Sequence, residues 1–370
     1  MVDRLWQEIR SLRNLVLAGL FAGIITVVFG IAAYQVINDE KVSFSELYCR
    51  WDTIHYEAIA TGGYAASPEQ AYRICFFPLF PFLAAPFVPL VGDATVALVF
   101  VANLACIAAC VVLHRLAKLE FDREIADTSV LVILVFPTAY FLHVGYTESL
   151  FLATSLAAFL SARRGAWMQA GLWAFFATLT RMSGLALLPA LLVEYAQQCD
   201  FRISRFRWKG LFALAPLLGL AGYMLLNLVV FGDPVKFLEL QATHFRRTLD
   251  WPWVGLSGDI QGLVTAGPSV KIVITDSNIL VFLLATATVV WSAFRLRPCY
   301  TVYAAALWLL TFCYGFWMSL PRHVLVIFPM FFLLAVMVRG KPMLRFGLGF
   351  ASVLLYALAF QQFVRGYWSQ

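Results

Sequence analysis

Four strongly apolar, uncharged runs constrain what this chain can fold into: residues 14–36, 94–113, 210–231 and 299–320. Each reaches the roughly 20 residues that a helix needs to cross the hydrocarbon core of a bilayer. In that solvent every backbone N–H and C=O must be paired within the protein, and uninterrupted apolar runs of this length pair them as α-helices. Composition agrees, since 62% of the 370 residues are hydrophobic and 13% are charged, with a mean hydropathy of +0.80. A soluble domain carries about twice that share of charge. The expected fold is an all-α, polytopic membrane helical bundle.

The net charge of +6 does not point to nucleic acid, because the basic residues fall in short clusters between apolar runs. Placing each cluster in the cytoplasm orients the chain: Arg4/Arg10/Arg13, Arg115/Lys118/Arg123, Arg163/Arg164, Arg202/Arg205/Arg207/Lys209, Arg295/Arg297 and Arg339/Lys341/Arg345. The reading is a single transmembrane domain over 1–370, with about eleven spans, the N-terminus inside and residues 365–370 outside. The first apolar run is too long for a signal-peptide core and lacks a small-residue cleavage site, so it reads as a retained anchor. The run 76–91, FFPLFPFLAAPFVPLV, has four prolines and reads as a re-entrant or interfacial segment beside a cavity. It could guide a lipid chain, or simply pack.

Two long exterior segments follow from this topology, 37–75 and 232–276. The first holds RWDTIHYEAIATGG, in which Trp51, Ile54, Tyr56 and Ile59 are spaced to lay an amphipathic helix on the membrane surface, ended by Gly62 and Gly63. Asp52 and His55, three apart, share one face. They are either a cap and an interfacial polar residue, or an acid and a histidine facing water. His143, Tyr146 and Glu148 gather at a second exterior turn, HVGYTE. Arg181 interrupts an apolar stretch in LTRMSG, where a charge costs roughly 2.5–3.5 kcal/mol and should meet a partner or a cavity. Arg322 and His323 enter a span in PRHVLVIFP, and FGDPVKFLELQATHFRR opens the second long segment, with Asp233-Pro234 as turn chemistry. Cys49 and Cys75 could pair if the compartment oxidises. No CxxC, DxD or metal-ligand spacing is present, so neither metal nor cofactor is expected.

In order along the chain, RWDTIHYEAIATGGY, FFPLFP, FPTAYFLHVGYTESLF, LTRMSGLALLPALLVEY, FGDPVKFLELQ and PRHVLVIFP resemble the PIG-V family of mannosyltransferases within the GT-C superfamily. The resemblance covers roughly Phe44 to Pro329. It implies a multi-span GT-C fold, an active site on the exterior or luminal face, a polyprenyl-phosphate-mannose donor and a glycan or glycolipid acceptor. It also implies inverting transfer, and matches Asp52 to the acidic residue of the first exterior loop that carries the chemistry. On this reading Asp52 is the general base, oriented by His55. Arg181, Arg322 and His323 hold the donor phosphate, and Trp51, Tyr56, Glu148, His143 and Tyr146 contact substrate. The chain departs from the family at His323, where a tyrosine often follows the arginine, and in lacking long luminal insertions. The latter favours a bacterial plasma-membrane enzyme over one of the endoplasmic reticulum.

Two other readings stay open. A GT-C transferase could use another prenyl-phosphate sugar, and a secondary transporter could line a path with these charges. A transporter should show paired inverted repeats with matching broken helices, which the sequence lacks.

Overall fold

The computed structural model describes residues 2–38, 42–65, 67, 69–265 and 271–367, with side chains left out at 2–11, 37–38 and 271–276. Arg4, Arg10 and parts of both long exterior segments therefore lie outside the described side chains. Among the described residues the chain is helical without a β-strand, and one isolated bridge joins Leu249 to Tyr314. Five helices are long and apolar enough to cross a bilayer: Leu12–Val36, Ala94–Glu120, Trp208–Phe231, Ser277–Arg295 and Pro342–Val364. A sixth would be the pair Leu320–Val326 and Pro329–Val338, bent by 82°. This is an integral membrane protein. Fewer helices pass that length test than hydropathy suggested, because apolar sequence is also spent on short helices and 3-10 turns. The proline-rich run is one such case: Leu79–Val91 reaches only about 20 Å at 1.5 Å per residue, less than the hydrocarbon thickness.

Two compact units are interleaved along the chain, so no single cut in the sequence separates them. The first is residues 1–61, 80–160 and 334–368. In it Val2–Asn38 packs on Ala94–Glu120 and on Pro342–Val364. Asp93 starts the second of these helices by accepting the Val96 N–H, and Asp122 starts Arg123–Val135 by accepting that of Ile125. Arg339 pairs with Asp122, and Arg345 lies 3.8 Å from Glu124. Clusters expected on one side of the membrane from their charge alone therefore meet.

The second unit is residues 62–79, 161–333 and 369–370. Trp167–Thr180 packs along Ala215–Phe231, and Leu187–Gln198 along Pro298–Phe312. Here Glu194 is fully buried, with Arg163 Nη1 3.3 Å from Oε1 and Arg297 Nη2 3.4 Å from Oε2. Gln198 donates to Oε1 at 2.8 Å. Two more clusters predicted on the cytoplasmic side thus converge on one carboxylate. Gly232 ends Ala215–Phe231 at φ +73°, and Asp233 Oδ1 accepts the Val235 N–H at 2.9 Å, the turn that Asp-Pro foretold.

Candidate functional site

In the first unit the candidate residues gather near the start of the helix Asp52–Gly62, which ends at the glycine pair where the sequence placed its end. Trp51 takes φ +51°, a conformation that bulky residues adopt only when their surroundings impose it; such strain costs of order 1–3 kcal/mol and gathers at functional sites. Tyr146 braces this turn, its hydroxyl accepting the Asp52 N–H at 3.3 Å and reaching the Arg50 carbonyl at 3.5 Å. The Thr53 hydroxyl donates to the Gly145 carbonyl at 3.3 Å. A Cβ on Gly145 would stand 2.8 Å from the Thr53 methyl, so HVGYTE is the mould against which the WD turn is cast.

Asp52 and His55 lie one turn apart and are both partly exposed. The helix buries Thr53, Tyr56 and Ile59, with Tyr56 edge-on to Phe80 at 5.3 Å between centroids. Ile54, expected on the apolar face, is 49% exposed instead. At 100° per residue it lies away from the 53/56/59 stripe. His143 is buried, and its Nδ1 donates to Asn103 Oδ1 at 2.8 Å, since the Asn103 amide nitrogen is spent on Val99 O and His143 O. Glu148 is fully buried at the start of Glu148–Arg163. Sequence reading overlooked Glu57, whose Oε2 accepts from Thr95 Oγ1 at 2.7 Å and Cys49 Sγ at 2.9 Å.

The second unit holds the candidate cations. Arg181 follows Trp167–Thr180 in extended backbone, and Met182–Ala186 then folds back so tightly that a Cβ on Gly184 would collide with the Thr178 backbone. That contact explains the glycine of LTRMSG. Ser319, at φ +61°, turns the chain into Leu320–His323. The two turns bring Arg181 Nη2 to 2.8 Å from His323 Nδ1. On the other edge of the ring, Arg247 Nη2 lies 3.2 Å from Nε2, and its guanidinium sits over the Tyr314 ring at 5.4 Å. The charges of Arg181, Arg247 and Arg322 all bear on His323. Arg247 was not singled out by sequence; the signal available was the Arg-Arg pair closing FGDPVKFLELQATHFRR.

The Cys49–Cys75 bridge that an oxidising compartment would allow does not form, because each thiol is engaged in its own surroundings and both are free. Cys49 donates to Glu57, and Cys75 faces the Phe237 carbonyl at 3.7 Å. Burial pushes the Cys49 thiol up to about 11, helped by Glu57, and the Cys75 thiol up to about 12. Neither supplies the thiolate that exchange requires. Among the described residues no three His, Cys, Asp or Glu side chains form a group that could hold a metal ion.

A helical membrane protein with this architecture has the GT-C fold. ArnT from Cupriavidus metallidurans, solved with bound undecaprenyl phosphate, superposes with a TM-score of 0.57 at 17% identity, over 94% of this chain and 63% of that one. The archaeal oligosaccharyltransferase AglB from Archaeoglobus fulgidus, solved with an inhibitory peptide and a dolichol-phosphate, gives 0.50 at 11% identity, over 95% and 56%. The chain thus spans about three-fifths of the length of the solved proteins it resembles. No curated protein matches its sequence. A family model described as Mannosyltransferase (PIG-V) matches residues 28–225, more than half of the chain, and the protein belongs to that family.

Proposed function

We propose that the protein is an inverting mannosyltransferase, taking mannose from a polyprenyl-phosphate-mannose donor to a hydroxyl of a glycan or glycolipid. The observation that carries this reading is the constrained WD turn, in which a strained Trp51 and a bracing Tyr146 fix Asp52 in a chain of the PIG-V family. The acceptor oxygen attacks C1 of the mannosyl group while the bond from C1 to the phosphate oxygen breaks. Asp52 takes the hydroxyl proton, and the bonding pair leaves with the polyprenyl phosphate. One displacement at C1 inverts its configuration, so a β-linked donor gives an α-mannoside. A positioned base of this kind contributes roughly a hundred- to ten-thousand-fold.

His55, on the same helix face, orients that carboxylate, and Tyr146 holds the turn behind it. Arg181, Arg322 and His323 act on the phosphate as its negative charge grows, where arginine's planar fork suits the oxygens. Partly exposed Trp51 is the substrate contact of this turn, whereas buried Tyr56, His143 and Glu148 act by holding its surroundings in place. The chemistry takes place on the exterior face of a bacterial plasma membrane, and the proline-rich run guides the prenyl chain.

The test is transfer of radiolabelled mannose from polyprenyl-phosphate mannose to a membrane-lipid extract by purified protein, wild type against Asp52→Asn. A fall of about a hundredfold or more, with unchanged thermal unfolding, is expected. Equal transfer by a folded Asp52→Asn variant removes Asp52 as the base. Transfer from another prenyl-phosphate sugar alone removes mannose.

A further inference from the structure

The ring of His323 is placed where a neutral imidazole cannot satisfy both neighbours. Its Nδ1 faces Arg181 Nη2 at 2.8 Å and its Nε2 faces Arg247 Nη2 at 3.2 Å. A guanidinium carries donors only, and a neutral imidazole has one lone pair, its second nitrogen bearing a proton. Only one of the two contacts can be a hydrogen bond. The shorter one takes the lone pair, so the Nε2–H is set against an N–H of Arg247. Protonating the ring would make both contacts donor against donor, which removes that route of relief.

Arg247 is held in this position by its backbone. Its own N–H donates to the Gln241 carbonyl at 3.0 Å. The next three residues are stitched to the segment after Pro298–Phe312: Gly315 N–H donates to Thr248 O at 3.2 Å and Asp250 N–H to Cys313 O at 3.1 Å, flanking the Leu249–Tyr314 bridge. Tyr314 then lies under the guanidinium. A long exterior segment is thus fastened so as to deliver one cation beside His323.

An anion with several oxygens resolves the mismatch, since it accepts from the Nε2–H and from Arg247 together. We infer that Arg247 grips the phosphate of the prenyl-phosphate donor, moving its donor from the His323 ring to a phosphate oxygen and freeing the Nε2–H of His323 as a second donor. This rests on reading the protein as a prenyl-phosphate sugar transferase. The phosphodiester of the donor carries one negative charge and the departing monoester carries more, so the grip tightens as the bond breaks. Loss of Arg247 should then lower kcat more than it raises KM.

The experiment is calorimetric binding of farnesyl phosphate, farnesol and inorganic phosphate to the purified full-length protein, comparing wild type, Arg247→Ala and Arg247→Lys. The expected result is that wild type prefers farnesyl phosphate to both controls. Arg247→Ala should weaken farnesyl phosphate by about tenfold or more, leave farnesol unchanged, and be partly rescued by Arg247→Lys. Unchanged farnesyl phosphate binding in Arg247→Ala overturns the role of Arg247 and leaves the donor reading standing. Equal losses for farnesyl phosphate and farnesol also overturn it, marking a packing role. Wild type that binds inorganic phosphate as tightly as farnesyl phosphate, or shows no preference over farnesol, overturns the donor reading and this inference with it.

Discussion

At one end of the helix Trp167–Thr180 two arginines converge on a carboxylate, and at the other end two converge on an imidazole. Arg163 and Arg297 each reach a different oxygen of buried Glu194, and Gln198 adds a third donor. Arg181 and Arg247 flank His323, which has one lone pair to offer. The first group is matched inside the chain, with an acceptor of about four lone-pair sites meeting donors from Arg163, Arg297, Gln198 and Cys299. The second concentrates donors around a poor acceptor, so an arriving anion has something to gain. Within one unit, the same residue type serves as a fastener where it meets a buried carboxylate and as a candidate ligand site where it meets an imidazole.

The largest effect should come from the matched group. Removing the buried acid by Glu194→Ala leaves two partly exposed arginines without it, and breaking a buried pair costs at most about 3–5 kcal/mol. Denaturant or thermal unfolding should register that loss, with activity per folded molecule retained. A stable Glu194→Ala protein that has lost transfer would break the comparison. Arg181→Ala should behave in the opposite way, with kcat falling about a hundred- to a thousandfold, the cost of removing one group that stabilises developing charge, while the unfolding temperature barely moves. A drop in stability without loss of turnover would place Arg181 among the fasteners.

The smallest effect sharpens the comparison with an acid whose partner is neutral. Asp259, on the helix Pro252–Thr265, is raised to about 6 by partial burial, which outweighs a hydrogen bond from Asn278. Its folded state holds the proton more tightly than the unfolded chain does, so this contribution is fully present below about pH 4 and is lost as pH rises through about 6. Asp259→Asn should therefore unfold at a higher temperature than wild type near pH 7.5 and at the same temperature near pH 4. Parallel curves would show that burial of Asp259 has no energetic consequence.

Much of this was legible along the chain. Asp52 and the Gly62-Gly63 pair bound the helix because a side chain suited to a positive helix end and a residue free to take φ +71° are local requirements. The basic clusters foretold which segments share a side, and the meeting of Arg163 with Arg297 on Glu194 follows from that sorting. The misses share a cause of another kind. Arg247 was one of two adjacent arginines in an exterior segment, and nothing in its neighbours says that Leu249 would bridge to Tyr314 and carry it to His323. Whether Cys49 and Cys75 pair was left open by loop membership alone, and their partners proved to be Glu57 and the Phe237 carbonyl.

The sequence by itself determined that this protein lives in a bilayer, that it is helical, and which residues carry polar chemistry into apolar surroundings. Those facts depend on transfer free energy and backbone pairing, which act on each segment separately. Only the tertiary structure decided that Tyr146 stands behind Asp52 and that Arg181 and Arg247 flank His323. Hydrogen-bond partners far apart in the chain are set by how helices pack and where loops are fastened, and a count of lone pairs becomes possible only once those partners have met.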